Sequence, residues 1–301
     1  MPIANFTIYL FTMFGIYALF AMSLNLQVGY AGLVNFGQVA FFALGAYTSA
    51  LLVVKAGLPI AVGIIAGMLA SGFFGCLLAW PTKSLKSDYW AITTLAAGEV
   101  IRLFALNEKW LTEGPFGVMN IPQPLEGLID KYYNIFYFIF VLIVVAVVYM
   151  LLSMLTDSPF GRNLKAIRDA EDLSKSLGKN TQKIKVQVMA IGGLVAGLAG
   201  AIFAHYMVYI SPENFRPLET FLIWGMIIVG GRANNRGAIL GAVVIQTFYV
   251  STRFVGNYVP IGSDLMSAAR MIVIGLLMVS FLIFRPEGLL RERKKTYPDE
   301  V

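Results

Sequence analysis

Glu99 and Arg102 lie three residues apart in ITTLAAGEVIRLF, a stretch that is otherwise apolar. On a helix this spacing puts both on one face, where a carboxylate and a guanidinium can pair. Ionisable groups within an apolar span are costly and normally face a cavity or a partner. Glu99 is therefore a candidate for lining a pathway, and an ion pair that orients helices is the other reading. Four amides, Asn25, Gln27, Asn35 and Gln38, flank a turn at Gly29. They offer donors and acceptors suited to a zwitterionic or amide solute, or equally to the loose backbone groups of a broken helix.

Catalytic chemistry has little to work with. His205 is the one histidine and Cys76 the one cysteine, which excludes an internal disulfide, a histidine pair and metal-ligand spacing. His205, near the end of a span, reads as a hydrogen-bonded interface residue, and Cys76 as a small packing residue. GKNT at Gly178 lacks the upstream glycine and the strand of a phosphate-binding loop, so no ATP site of that kind is present. Acidic residues inside the apolar segments are too few for an ion relay.

The elements that hold these residues are set by composition. Of 301 residues 58% are hydrophobic and 13% charged, against about 25% charged in ordinary soluble domains. Mean hydropathy is +0.73. The fold class this implies is an all-α polytopic membrane protein with eight or nine transmembrane or re-entrant helices. Candidate spans fall at 5–28, 31–54, 58–81, 89–107, 132–155, 186–210, 219–230, 238–256 and 264–284. Two differ from the rest. The segment 31–54 is rich in Gly, Asn and Gln, and 219–230 is too short for a hydrocarbon core of about 30 Å at about 1.5 Å per residue. Either is open to being broken or re-entrant. The start, MPIANFTIYLFT, has no basic stretch before its apolar run and is read as the first span rather than a cleaved signal.

Basic residues orient the chain, because short cytoplasmic loops keep an excess of Lys and Arg. Lys83 and Lys86 mark one such loop, the stretch Arg162 to Lys185 a second, and Arg285, Arg291, Arg293, Lys294 and Lys295 the tail. The segment 108–131 carries Glu108, Glu113, Glu126 and Asp130 against Lys109 and Lys131, which places it outside. The expected domain is a single membrane unit over 1–284, with a cytoplasmic loop at 156–185, an external loop at 108–131 and a basic cytoplasmic tail at 285–301. Alternation puts the N-terminus outside, or inside if one of the two unusual segments is re-entrant.

Small-residue stripes predict close helix packing. One is Gly63, Gly67, Ser71 and Gly75, and another is Gly193, Gly197 and Ala201. GYAGLVNFGQVAF at Gly29 and GGRANNRGAILGA at Gly230 are weakly alike, and matching irregular elements in two halves of a transporter point to its binding region.

The densest charge lies in GRNLKAIRDAEDLSKSLGKNTQKIK, Gly161 to Lys185. Asp157 or Ser158 can cap a helix with Pro159 in its first turn, and Gly178 can end it. Leu164, Ile167, Ala170, Ser174 and Leu177 form one helical stripe, and the segment reads as one or two amphipathic helices. A helix lying on lipid would be mainly basic, yet three acids accompany seven bases here, and mixed signs suit a protein groove. A solvated loop held near the membrane by its basic residues is the alternative.

SLNLQVGYAGLVNFGQVAFFALGAYTSALL, YWAITTLAAGEVIRL, LTEGPFGVMNIP, SPFGRNLKAIRDAEDLSKSLG and RPEGLL, in that order, resemble the membrane subunits of branched-chain amino acid ABC importers. They are most similar to the permease with the long external LTxG segment. The resemblance implies a heterodimer with a second, related permease, two cytoplasmic ATPase subunits that hold ATP and magnesium, and an external binding protein delivering leucine, isoleucine or valine across the cytoplasmic (inner) membrane. No cofactor in this chain and no nucleic-acid partner is implied. By the same resemblance DAEDLSKSLG is the coupling loop, with Arg168, Asp169, Ala170, Glu171, Asp172 and Gly178 touching the ATPase. Asn25, Gln27, Asn35, Gln38 and Glu99 would border the path. Urea and short-chain amide importers use similar permeases, and an ion-coupled carrier is a further alternative. Where the family reads GGxGSxxGAxxGA, this chain has Arg232, Asn234, Asn235 and Arg236.

Overall fold

A computed structural model describes residues 2–81, 87–126, 132–258 and 263–292; side chains of 2–4, 87, 252–258 and 263–267 are outside that description. Lys83, Lys86, Asp130, Lys131, Arg293, Lys294 and Lys295, which entered the charge reading, lie outside the described residues. The helices are α1 (Pro2–Leu24), α2 (Gln38–Val54), α3 (Ile60–Ala79), α4 (Ser87–Asn107), α5 (Lys109–Thr112), α6 (Tyr133–Asp157), α7 (Pro159–Asp169), α8 (Glu171–Ser176), α9 (Thr181–Met207), α10 (Pro217–Gly230), α11 (Asn235–Tyr258) and α12 (Ser263–Phe284). The all-α polytopic architecture is the one the composition implies. Among the described residues five helices are long and apolar enough to cross a membrane, and α2, α10 and Ala268–Phe284 are shorter apolar helices.

At the centre, α2, α3 and α9 pack on one another through the small-residue stripes. A Cβ added at Gly45 would stand 2.1 Å from the Gly197 carbonyl oxygen, and one at Gly67 would stand 2.5 Å from that of Gly45. Ser71 fills the same seam and donates its hydroxyl to the Phe41 carbonyl at 2.8 Å. Such backbone approach is how helices gain contact where lipid is as apolar as the side chains. The stripes thus join helices of one chain. α1 packs against α6, α9 and α11, and its last seven residues, Ala18 to Leu24, are all buried. α6 turns Ile139, Leu142, Ile143, Val147, Met150 and Met154 outward, as a lipid-facing helix should.

Of the two segments set apart in the sequence, 31–54 differs from its expected bounds and 219–230 keeps its short length. α1 continues into a π-helical turn, Asn25–Tyr30, and the segment expected at 31–54 becomes helical only at Gln38. Gly32 takes φ +70°, a left-handed conformation, and the chain doubles back so that the Leu33 N–H donates to the Gln27 carbonyl at 2.9 Å. The Phe36 N–H then donates to Thr94 Oγ1 at 3.1 Å, which holds the non-helical stretch against α4. α10 is the other short helix, with 14 residues. Its residues Leu222 to Gly230 are all buried.

At one rim, the segment after α4 is bound to the end of α9 by a single antiparallel bridge, Val118 with Ile210. His205 is fully buried there. It donates Nδ1–H to the Pro122 carbonyl at 2.7 Å, so Nε2 accepts from Ser49 Oγ at 2.9 Å. The opposite rim carries α7, α8 and the turn between α10 and α11.

Candidate functional site

α7 begins where the sequence allows it. Ser158 Oγ accepts from the Phe160 N–H at 3.1 Å and Pro159 occupies the first turn. Leu164 and Ile167 are buried beneath it. The expected stripe does not run on: Ala170 takes φ −154° and ψ 83°, and a separate α8 starts at Glu171. Ser174 stays buried, while Ala170 is exposed and Leu177 is 70% exposed. The change of direction turns Leu173, 62% exposed, and Leu177 outward together. Gly178 closes α8 at φ +79° with open space around it.

Of the six residues assigned to coupling, five face outward or edge the surface and one faces inward. Asp169 is exposed and the Asp172 side chain entirely so. Glu171 sits between Lys185 Nζ at 2.6 Å and Lys175 Nζ at 3.1 Å. Partial burial pushes its carboxyl up, but hydrogen bonds from the two ammonium groups outweigh this and hold it below the ordinary glutamate value. This clasp fastens α8 to the start of α9.

Arg168 points into the protein. Its Nη1 donates to the Gly29 carbonyl at 2.8 Å and to Glu292 at 3.1 Å, while Nε donates to Asp169 at 2.9 Å. Gly32 lies against it, since a Cβ there would fall 2.9 Å from Arg168 Cγ. Lys165, one turn earlier, reaches Glu292 at 2.7 Å. The outward-facing α8 therefore begins three residues after an arginine that grips the break after α1.

The four amides are fully buried at that break. Asn35 Nδ2 donates to Gln27 Oε1 and to Gln38 Oε1, both at 2.7 Å, and Asn35 Oδ1 accepts the Gly37 N–H at 2.8 Å. Gln38 Nε2 donates to Ser23 Oγ at 2.8 Å. Asn25 faces the α10–α11 turn: its Oδ1 accepts the Ala233 N–H at 3.0 Å and its Nδ2 donates to Asn235 Oδ1 at 3.2 Å. The two glycine and asparagine turns seen in the sequence are thus in direct contact. Side chains that replace lost helix bonds fix a conformation that bare backbone in lipid would not hold.

The unusual residues of the second turn have structural partners. Asn234 Oδ1 accepts the N–H groups of Arg236 at 3.0 Å and Gly237 at 3.3 Å and so caps α11. Arg236 Nε donates to the Tyr149 hydroxyl at 2.8 Å, and Arg232 lies 6.0 Å above the Trp224 ring. The turn and its glycine contacts persist: a Cβ at Gly241 would meet the Met226 carbonyl oxygen.

Glu99 and Arg102 do pair, through Arg102 Nε at 3.0 and 3.1 Å from the two carboxylate oxygens. The Glu99 side chain is 37% exposed on the open face of α4, and Arg102 also approaches Glu213 at 3.8 Å. The amides and this pair occupy separate places, so the structure does not gather all five residues into one cluster. Lys165, Leu173 and Glu292 were not singled out from sequence. The signal for Glu292 is a single acid within the otherwise basic run RERKK. Among the described residues no group of three His, Cys, Asp or Glu side chains is placed to hold a metal ion.

Residues 6–282 match the family model described as branched-chain amino acid transport system / permease component. The chain is 32% identical over 302 residues to the high-affinity branched-chain amino acid transport system permease protein LivM of Salmonella typhimurium, covering 93% of this chain and 68% of that protein. It is 32% identical over 308 residues to LivM of Escherichia coli K12, covering 94% and 70%. With the probable branched-chain amino acid transport permease protein LivM of Methanocaldococcus jannaschii it shares 29% over 320 residues, 93% of this chain and 92% of that one.

Proposed function

This chain belongs to the permease-component family of branched-chain amino acid transport systems, a family of transport subunits rather than enzymes, and we propose that it forms one half of the path of an ATP-driven importer for leucine, isoleucine and valine. The other half is a second, related permease. Two ATPase subunits, which hold ATP and magnesium, dock on α8 from the cytoplasm, and an external binding protein delivers the amino acid to the rim that carries Val118 and Ile210. In this reading the membrane is the cytoplasmic one, and the α7–α8 rim and residues 285–301 lie inside.

The observation that carries the reading is the hydrogen bond from Arg168 to the Gly29 carbonyl, 2.8 Å. A partner that grips Leu173, Leu177, Asp169 and Asp172 and moves would pull the break after α1 through that bond. Asn25 extends the same pull to the α10–α11 turn. Switching elements of this kind work because packed segments hold one of a few arrangements rather than deforming continuously. The four amides keep the wall of the path in shape, and Glu99 borders the path on α4.

The test is uptake into vesicles containing this chain with its genomic neighbours, with labelled leucine competed by valine, alanine, urea and acetamide. ATP-dependent leucine uptake that vanishes without the ATPases or the binding protein is expected. Uptake of urea instead would change the substrate, and uptake by this chain alone would overturn the mechanism.

A further inference from the structure

Beyond α12 the chain forms a strap. It turns at Gly288, φ +71°, so close to the α10–α11 turn that a Cβ there would lie 2.5 Å from Gly231 Cα. The N–H groups of Leu289 and Leu290 donate to the carbonyls of Val229 and Gly230 at 2.8 and 2.9 Å. Asn234 Nδ2 donates to the Arg291 carbonyl at 2.8 Å. Backbone bonds thus lash the strap to the end of α10, and no flexible side chain is needed for the first two.

The strap ends, among the described residues, on Glu292. One carboxylate oxygen takes Lys165 Nζ at 2.7 Å and the other takes Arg168 Nη1 at 3.1 Å. Its side chain is 24% exposed. Isolated surface ion pairs contribute little, but a carboxylate shared by two cations, one of them also held by a buried carbonyl, is a network of defined geometry. Glu287 pairs instead with Arg291 inside the strap. Among the described strap residues, Glu292 is the acid directed at α7.

Arg168 therefore has two outlets. Through Gly29 it reaches α1, and through Glu292 it reaches the strap and with it the α10–α11 turn. We propose that Glu292 is a positioning residue of the transport cycle, passing movement of α7 and α8 along the strap to α10 and α11 while the Gly29 bond moves α1. The two arms then shift both turns together, and these turns already touch through Asn25 and Ala233. Gly231, at φ +120°, and Gly288 leave no space between strap and turn, so displacement of one displaces the other. The inference rests on the reading of α8 as the ATPase contact.

The experiment reconstitutes the complete importer in proteoliposomes and measures uptake and ATP hydrolysis together for wild type, Glu292→Gln and Glu292→Asp. Retention of the ATPase subunits is followed by co-purification. For Glu292→Gln, transport per ATP hydrolysed is expected to fall by about fivefold or more, the low end of ordinary coupling between sites. The ATPases stay bound, and Glu292→Asp, which keeps the charge, recovers most of the ratio. An unchanged ratio in Glu292→Gln would overturn the proposal. So would loss of the ATPases from that variant, because Glu292 would then only shape the docking face. A wild-type complex whose ATP hydrolysis ignores substrate would remove the docking reading itself and this proposal with it, a failure visible before any variant is compared.

Discussion

Arg168 on α7 and Gly29 in the π-helical turn after α1 are joined by a 2.8 Å hydrogen bond across 139 positions of sequence. A guanidinium, with several donors in a rigid fork, can hold a backbone carbonyl and a carboxylate at once. Here it does both, and the break in a buried helix is thereby tied to a surface helix.

Arg168→Ala removes both bonds. Hydrogen bonds that involve a charged group contribute about 1.5–3 kcal/mol. The thermal midpoint of the purified chain is expected to fall by several degrees, and uptake by the assembled importer by about tenfold or more, which corresponds to about 1.4 kcal/mol. Arg168→Lys keeps the charge without the fork and should fall between. Full uptake by the alanine variant would sever α7 from the cycle.

Leu173 and Leu177 are exposed apolar side chains at a helix end that none of the described residues covers. Replacing Leu177 by Asp should leave the isolated chain within about 0.5 kcal/mol of wild-type stability, as for other surface changes. Its affinity for the ATPase subunits should fall by about thirtyfold, as loss of a 2 kcal/mol anchor requires. Co-purification and a binding titration read the two effects separately. Unaltered affinity would move the docking face elsewhere.

Glycines at helix crossings are distinguishable from those on open faces. Gly45→Ala drives a methyl into the Gly197 backbone, 2.1 Å from its carbonyl oxygen, and should sharply reduce the yield of folded protein. Gly275→Ala, on α12, meets nothing within 4 Å. It should be neutral or stabilise by about 0.4–1 kcal/mol, since alanine has less freedom to lose on folding. Thermal unfolding of the two variants in the same detergent gives the comparison, and similar midpoints would refute the packing account.

The Glu171 clasp gives a pH dependence of defined sign. Its carboxyl is held below the ordinary value of 4.5 by Lys185 and Lys175. A depressed folded value means that the clasp contributes fully above the ordinary value and is lost as pH falls through the folded one. Amide protection of α8 is expected to drop below about pH 4.5, and Glu171→Gln should lack that protection at every pH. Hydrogen exchange across α8 measures both. Protection in the glutamine variant equal to wild type at neutral pH would show the clasp to be dispensable.

Local chemistry made much of this legible. The apolar runs near 58–81, 132–155 and 186–210 appear as α3, α6 and α9 because a buried or lipid-facing helix needs length and apolarity and little else. Ser158 and Pro159 marked the start of α7, and Gly178 the end not of that helix but of α8, the next one, since capping depends on neighbours in sequence. The Gly63 stripe and the Gly193 stripe foretold a crossing, though not that the third partner would be α2. What could not be read is direction. Asn35 offers the same amide whether it lines a cavity or binds Gln27 and Gln38, and only the fold decides. Glu292 takes its cations from a helix 124 positions away, beyond the reach of any spacing rule. The kink at Ala170, which redirects Leu177, has no sequence mark, since alanine favours helix.

α10 has 14 residues, a length of about 21 Å at about 1.5 Å per residue. A bilayer's hydrocarbon layer is about 30 Å thick. Because α10 is sheathed by its neighbours, lipid need not thin to match it, and the shortfall is taken up by polar turns inside the protein. The helix falls about a third short of the hydrocarbon layer, and with Leu222 to Gly230 buried that mismatch is borne by protein contacts rather than by deformation of the bilayer.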